Sequence, residues 1–182
     1  MSALRLINET EITTPTATVQ ATDVFTSDFD IYKITISDLL QASATTHVYG
    51  RFINSADSTI TSSNYDYAHQ VLRAGGAWQE NRQTNGTLFW HTAYNLANAS
   101  DYGGATFWVF NPYSSSSYTF WLHQSFARYN GISGGTVGFE GYKHIGVLKN
   151  TSSVTGIEFF NASSVNFTNL KFNIYGLRVD NG

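Results

Sequence analysis

The sequence predicts an all-β protein, a single antiparallel β-sandwich of the jelly-roll type spanning residues 1–182. Three observations carry this. Apolar and polar residues alternate over short runs through most of the chain, the period of a strand with one buried face. Turn signals such as Asn85-Gly86, Gly103-Gly104, Asn111-Pro112, Asn130-Gly131 and Gly134-Gly135 separate the runs. Both prolines of the chain fall in connecting segments, where a missing backbone donor costs no ladder hydrogen bond.

Taken in order, Leu4, Leu6 and then Ile12 begin one or two strands, and residues 19–25 form another. In residues 30–39, Tyr32, Ile34 and Ile36 alternate with Lys33 and Thr35. Residues 46–53 set Val48 and Phe52 on one face and His47, Tyr49 and Arg51 on the other. Residues 64–75 fit either a helical stripe (Tyr67, Val71, Ala74) or a strand (Tyr65, Tyr67, His69, Val71, Arg73). The tyrosines and the neighbouring strands favour the second. Residues 88–94, 105–110, 118–129 and 135–148 follow as strands, and residues 54–64, 76–87, 95–104 and 111–117 as loops. The chain closes on two strands, 154–160 and 165–177, around the polar turn Asn161-Ala162-Ser163-Ser164. Phe172 and Ile174 there alternate with Lys171, Asn173 and Tyr175, so the sheet runs almost to the last residue. The total is about ten strands.

Composition bounds the function. Only 13% of residues are charged, and the chain carries 13 Phe, 11 Tyr and 4 Trp among many Ser, Thr and Asn. Enzymes can have such a surface, and so can subunits that lie against neighbours, where charge is costly to desolvate. The net charge of −3 supplies no basic field, which argues against a nucleic-acid partner. The absence of cysteine excludes disulfides, zinc–thiolate sites and thiol nucleophiles. No apolar run reaches the roughly 20 residues of a membrane helix, and the first residues lack the apolar stretch of a signal peptide. The expectation is synthesis in a cytoplasm, with no membrane insertion.

Motifs for chemistry are sparse. Gly131-Ile132-Ser133-Gly134-Gly135 has the spacing of a nucleophile elbow, but a strand rather than a helix follows, so it reads as a hairpin turn. The histidines His47, His69, His91, His123 and His144 fall on separate predicted strands without metal-ligand spacing. Asp28 and Asp30 lack the spaced carboxylates and glycine of a calcium loop. Glu80, Glu140 and Glu158 are carboxylates for which sequence defines no glycosidase pair. The expectation is a protein without catalytic residues, cofactor or metal.

The aromatic pairs Phe89-Trp90, Phe107-Trp108 and Phe120-Trp121 are more informative. Neighbours on a strand point to opposite faces, so one member fills the core and the other faces out. Trp90, Trp108 and Trp121 are the candidates for a subunit interface or for stacking on host glycans, a second buried layer being the alternative.

The segments Leu6-Ile-Asn-Glu-Thr-Glu-Ile12, Phe29-Asp-Ile-Tyr-Lys-Ile-Thr-Ile36, Ser63-Asn-Tyr-Asp-Tyr67, Val154-Thr-Gly-Ile-Glu-Phe-Phe160 and Ile174-Tyr-Gly-Leu177 resemble virion structural proteins of tailed bacteriophages, particularly those of marine and cyanobacterial hosts. The resemblance spans the chain as a pattern of strands and turns. It implies a non-enzymatic fibre, tail-appendage or capsid-decoration subunit located in the virion. Its implied partners are other virion proteins and copies of itself, with a homotrimer favoured. It implies no functional residues. The alternative function is a lectin-like module that binds host surface glycans.

Overall fold

The computed structural model describes residues 3–42, 46–74, 77–95, 102–132 and 136–178, which form twelve strands and no helix. They are β1 (Ala3–Glu11), β2 (Thr18–Ala21), β3 (Ile31–Gln41), β4 (Thr46–Asn54), β5 (Tyr65–Arg73), β6 (Gln79–Gly86), β7 (Phe89–Asn95), β8 (Gly103–Phe110), β9 (Thr119–Ile132), β10 (Thr136–Leu148), β11 (Val154–Asn161) and β12 (Phe167–Arg178). An eight-stranded sheet runs β1-β12-β3-β8-β9-β10-β5-β6, and a four-stranded sheet runs β2-β11-β4-β7. Every pairing is antiparallel. The chain changes sheet at almost every connection. The exceptions are the β5–β6 hairpin and the β8–β9–β10 meander.

The predicted alternation is realised where one face is buried. On β3, Tyr32, Ile34 and Ile36 point inward, and on β12 Phe172 and Ile174 are fully buried, flanked by half-buried Lys171 and Asn173. The segment 64–75 is the strand β5 rather than a helix. Phe172→Ala is expected to cost about 3–5 kcal/mol, while Lys171→Ala stays within about 0.5 kcal/mol. Small, equal effects in chemical denaturation would refute this pleat.

Two expectations need correction. The sequence predicts a loop over 76–87, yet Gln79–Gly86 is the edge strand β6. Its side chains are polar and mostly exposed, so no alternation marks it, and it is held by backbone pairing to β5. The strand expected over 19–25 ends at Ala21. Beyond it the Val24 and Phe25 amides both donate to the Thr155 carbonyl, at 2.9 and 3.0 Å, and Phe25 drops into the core. The N-terminal region forms one strand, with a register shift between Leu6 and Asn8.

Two close approaches fix how the sheets meet. A Cβ at Gly146 would overlap the buried indole of Trp121, and one at Gly50 would overlap the ring of Phe89. Glycine lets each large ring lie flat on the neighbouring strand. Trp121, Phe89, Phe52 and Tyr65 thereby form one aromatic cluster, with centroids 5.0–6.3 Å apart. The Tyr65 hydroxyl accepts from the Phe52 amide and donates to the Ile60 carbonyl, both at 3.0 Å. The small sheet ends at β7, which lies mainly against β9. The inner face of the large sheet continues past it onto β10, β5 and β6.

Candidate functional site

That overhanging inner face carries an unusual set of side chains. Register places Phe107, His123, His144, His69 and Asn81 opposite one another on β8, β9, β10, β5 and β6, in one row across the sheet. The Phe107 and His123 centroids are 4.4 Å apart, His123 and His144 3.9 Å, and His144 and His69 4.4 Å. All three imidazoles are buried. The His123 and His144 rings stack nearly parallel, at 17°. Among the described residues no group of three or more His, Asp or Glu side chains has a metal-holding arrangement.

The next rows complete the surface. Tyr142 lies opposite Ser125 and Val71, and Glu140 lies opposite Ala127 and Arg73. The fully buried Glu140 carboxylate accepts hydrogen bonds from the Arg73 guanidinium and the Tyr142 hydroxyl. A cleft of about 560 Å³ opens above these groups. His69, Arg73, Glu140 and Tyr142 line it on the large sheet, Gln79 and Asn81 on the β6 rim, and His47 and Trp90 on the side of the small sheet. His47, Trp90 and Tyr49 are near-parallel: His47 to Trp90 is 5.8 Å at 16°, and Trp90 to Tyr49 is 5.9 Å at 3°.

Burial sets the charge state of the cleft. It pushes the His69 imidazole down to about 4, with the nearby His47 acting in the same direction. His47 is itself lowered by burial, against the raising influence of the Glu140 carboxylate. An unfolded chain protonates such an imidazole near pH 6.5, and the fold resists until about pH 4. His69 therefore costs no stability above about pH 6.5 and removes stability progressively as pH falls through that window. The groups facing it include His144 and Tyr142 on β10, Tyr67 on its own strand, Asn81 on β6 and His47 on β4. Melting temperature is expected to fall between these pH values, and His69→Phe should flatten the upper part of the profile. An unchanged slope in the variant would assign the loss to other groups.

Sequence-predicted residues are distributed as follows. Trp90 lines the cleft and is half-buried. Trp108 is half-buried on the outer face of the large sheet, with the Lys33 ammonium 5.7 Å from its ring centroid. Trp121 is a correction: it is the inward member of its pair, 1% exposed, and Phe120 is the outward one. The parity rule holds at all three pairs, but the third runs in the opposite sense to the other two. Ser133 and the side chain of His91 lie outside the described residues. Glu140 sits in the cleft and Glu80 on β6, whereas Glu158 belongs to the small sheet. Glu158 accepts from Gln20 at 2.7 Å and Thr59 at 3.3 Å, with Arg51 at 3.8 Å. Asp28 lies in a turn where its amide donates to Thr26 Oγ1 at 3.2 Å.

Sequence reasoning found every histidine but not the row. Each of the three points inward by its own alternation. Their meeting depends on β5–β10 and β9–β10 register, which no local pattern encodes.

No family model and no curated protein matches the chain. Among solved structures, a marine PL-14 alginate lyase from Aplysia kurodai is similar at 8% identity, with 86% of this chain and 72% of that chain covered and a TM-score of 0.31. The CBM2 module of the evolved Dit of Lactobacillus casei BL23 phage J-1 is similar at 6% identity, covering 86% and 66%, with a TM-score of 0.27. A structure of infectious bursal disease virus Gt strain is similar at 11% identity, covering 97% of this chain and 42% of that one, with a TM-score of 0.15. Likenesses this distant leave function to be argued from this chain's own residues.

Proposed function

We propose that the protein is a non-enzymatic structural subunit of a bacteriophage virion, of the fibre, tail-appendage or capsid-decoration kind, and that it acts by self-assembly. The sandwich is then of the jelly-roll type, consistent with a chain that passes repeatedly between its two sheets. The observation that carries the reading is the outer face of the large sheet. Phe120, Leu122 and Phe126 on β9 and Phe139 and Ile145 on β10 are 45–56% exposed. Trp108, Leu122 and Ile145 lie in one cross-strand row. Phe120, Trp108, Leu122 and Ile145 form an apolar patch, set off from Phe126 and Phe139 by the polar row Thr106, Gln124 and Lys143, and an exposed apolar patch marks a contact surface.

The occupant is a second copy of the chain. Lys33 and Lys143 lie at the face, and Asp66 and Arg82 line the groove beside Phe120. Asp66 is paired with Lys149 at 2.9 Å, so its charge is met within the subunit and the contact offered to a copy is mainly apolar. Rotational closure stops such growth at a fixed number, and a homotrimer is the expected form. The sequence resemblance to tailed-phage virion proteins supports the location.

Native mass spectrometry and sedimentation test this. The wild-type chain should form a closed oligomer, and Leu122→Asp with Ile145→Lys should yield a monomer with an unchanged β-type circular dichroism spectrum. A wild-type chain that stays monomeric at high micromolar concentration and binds no virion component overturns the reading.

A further inference from the structure

The cleft lies on the opposite face of the large sheet from the assembly surface, and the self-assembly reading makes no use of it. We propose that it is a binding site for a neutral oligosaccharide, with one sugar ring against Trp90 and its hydroxyls hydrogen-bonded by Asn81, Gln79, His69 and Arg73.

Four observations support this. The cleft volume, about 560 Å³, suits a few sugar rings and falls within the usual range of small-ligand sites. Trp90 lines it, half-buried in a near-parallel set with His47 and Tyr49, and an indole is a good packing partner for the C–H side of a pyranose. The remaining lining is rich in planar groups that donate and accept in pairs, which suits the paired hydroxyls of a sugar. These groups stand on adjacent paired strands of a sheet, so their spacing is set by backbone register.

Charge selects the ligand class. The Arg73 guanidinium is already engaged by the buried Glu140 carboxylate. Burial disfavours the charged form of His69, pushed down to about 4, and shifts His47 in the same direction. Glu80 adds a negative charge at the rim. The described lining therefore carries no surplus positive charge to hold a uronate, sulfate or phosphate group. Neutral hexose or N-acetylhexosamine polymers fit it, and acidic polysaccharides do not.

The test uses the full chain on an array of neutral glucans, galactans and N-acetylhexosamine oligomers beside uronate oligomers, with calorimetric titration of any ligand retained. A neutral oligosaccharide should bind. The double change Asn81→Ala and Gln79→Ala, on an exposed edge strand, should weaken it by about tenfold or more. Trp90→Ala should abolish detectable binding, whereas Trp108→Ala on the outer face should not change it. The assembly-face change Leu122→Asp with Ile145→Lys should also leave binding intact, so a failure of self-assembly and a failure of this site are told apart. Retention of uronates alone, affinity indifferent to the cleft changes, or no saccharide retained at all would each overturn the proposal. The β6 variants keep the test valid if Trp90→Ala disturbs the fold.

Discussion

Trp121→Ala should lower the stability of the fold by about 3–5 kcal/mol. Trp121 is the largest fully buried side chain of the core. Its ring occupies the space that a Cβ of Gly146 would take, and it packs on Phe52, Tyr65 and Phe89. Alanine would leave a cavity where both sheets meet. Gly146 cannot fill it, because it has no side chain to move in. The indole N–H finds no acceptor among the described residues, so Trp121→Phe forfeits no hydrogen bond and should retain much of the stability. Phe120→Ala, one residue away on the outer face, should change the stability of the isolated subunit by no more than about 0.5 kcal/mol. Urea denaturation of the three variants checks this. A large loss at Phe120 with little at Trp121 would mean that the strand faces the other way.

Removing the carboxylate of Glu140 should be comparably severe, at about 3–5 kcal/mol for Glu140→Ala. The carboxylate is fully buried, and Arg73 and the Tyr142 hydroxyl both bond to it. Deleting it leaves a guanidinium, whose side chain is only 18% exposed, without its counter-charge. A buried pair is not itself a large source of stability, since its desolvation opposes its attraction. The combined change Glu140→Met and Arg73→Met should therefore recover most of the loss. A double-mutant cycle by thermal denaturation measures the coupling. Additive losses would show that the two groups do not act as a pair.

The sequence made these two sites legible to different degrees. Alternation identified the inward faces of β3, β4 and β12 because each has one buried face of period two. It also required that Phe120 and Trp121 point apart, but not which of them is inside. That choice was made by a glycine on the neighbouring strand, Gly146, whose position opposite Trp121 is a matter of register. The Arg73–Glu140 pair spans 67 residues of sequence, and the contact of His69 with His144 joins the same two remote strands, whereas His123 and His144 lie on consecutive strands. β6 escaped detection for another reason. An edge strand with polar side chains on both faces has no periodicity to read, and its order comes from the backbone of β5.

The order in which strands pair has a consequence for how the protein acquires its shape. β1 pairs with β12, β2 with β11 and β3 with β12, so the first three strands find partners at the far end of the chain. During synthesis they leave the ribosome long before those partners exist. Only the β5–β6 hairpin and the β8–β9–β10 meander can close locally. Long loop closures make such topologies slow, with refolding on the millisecond-to-second scale or longer. Until β12 arrives, β1 remains an unpaired strand bearing Leu4 and Leu6, a ready template for a neighbouring chain. Newly made copies crowded together are thus most vulnerable to mispairing just before the last strand is complete.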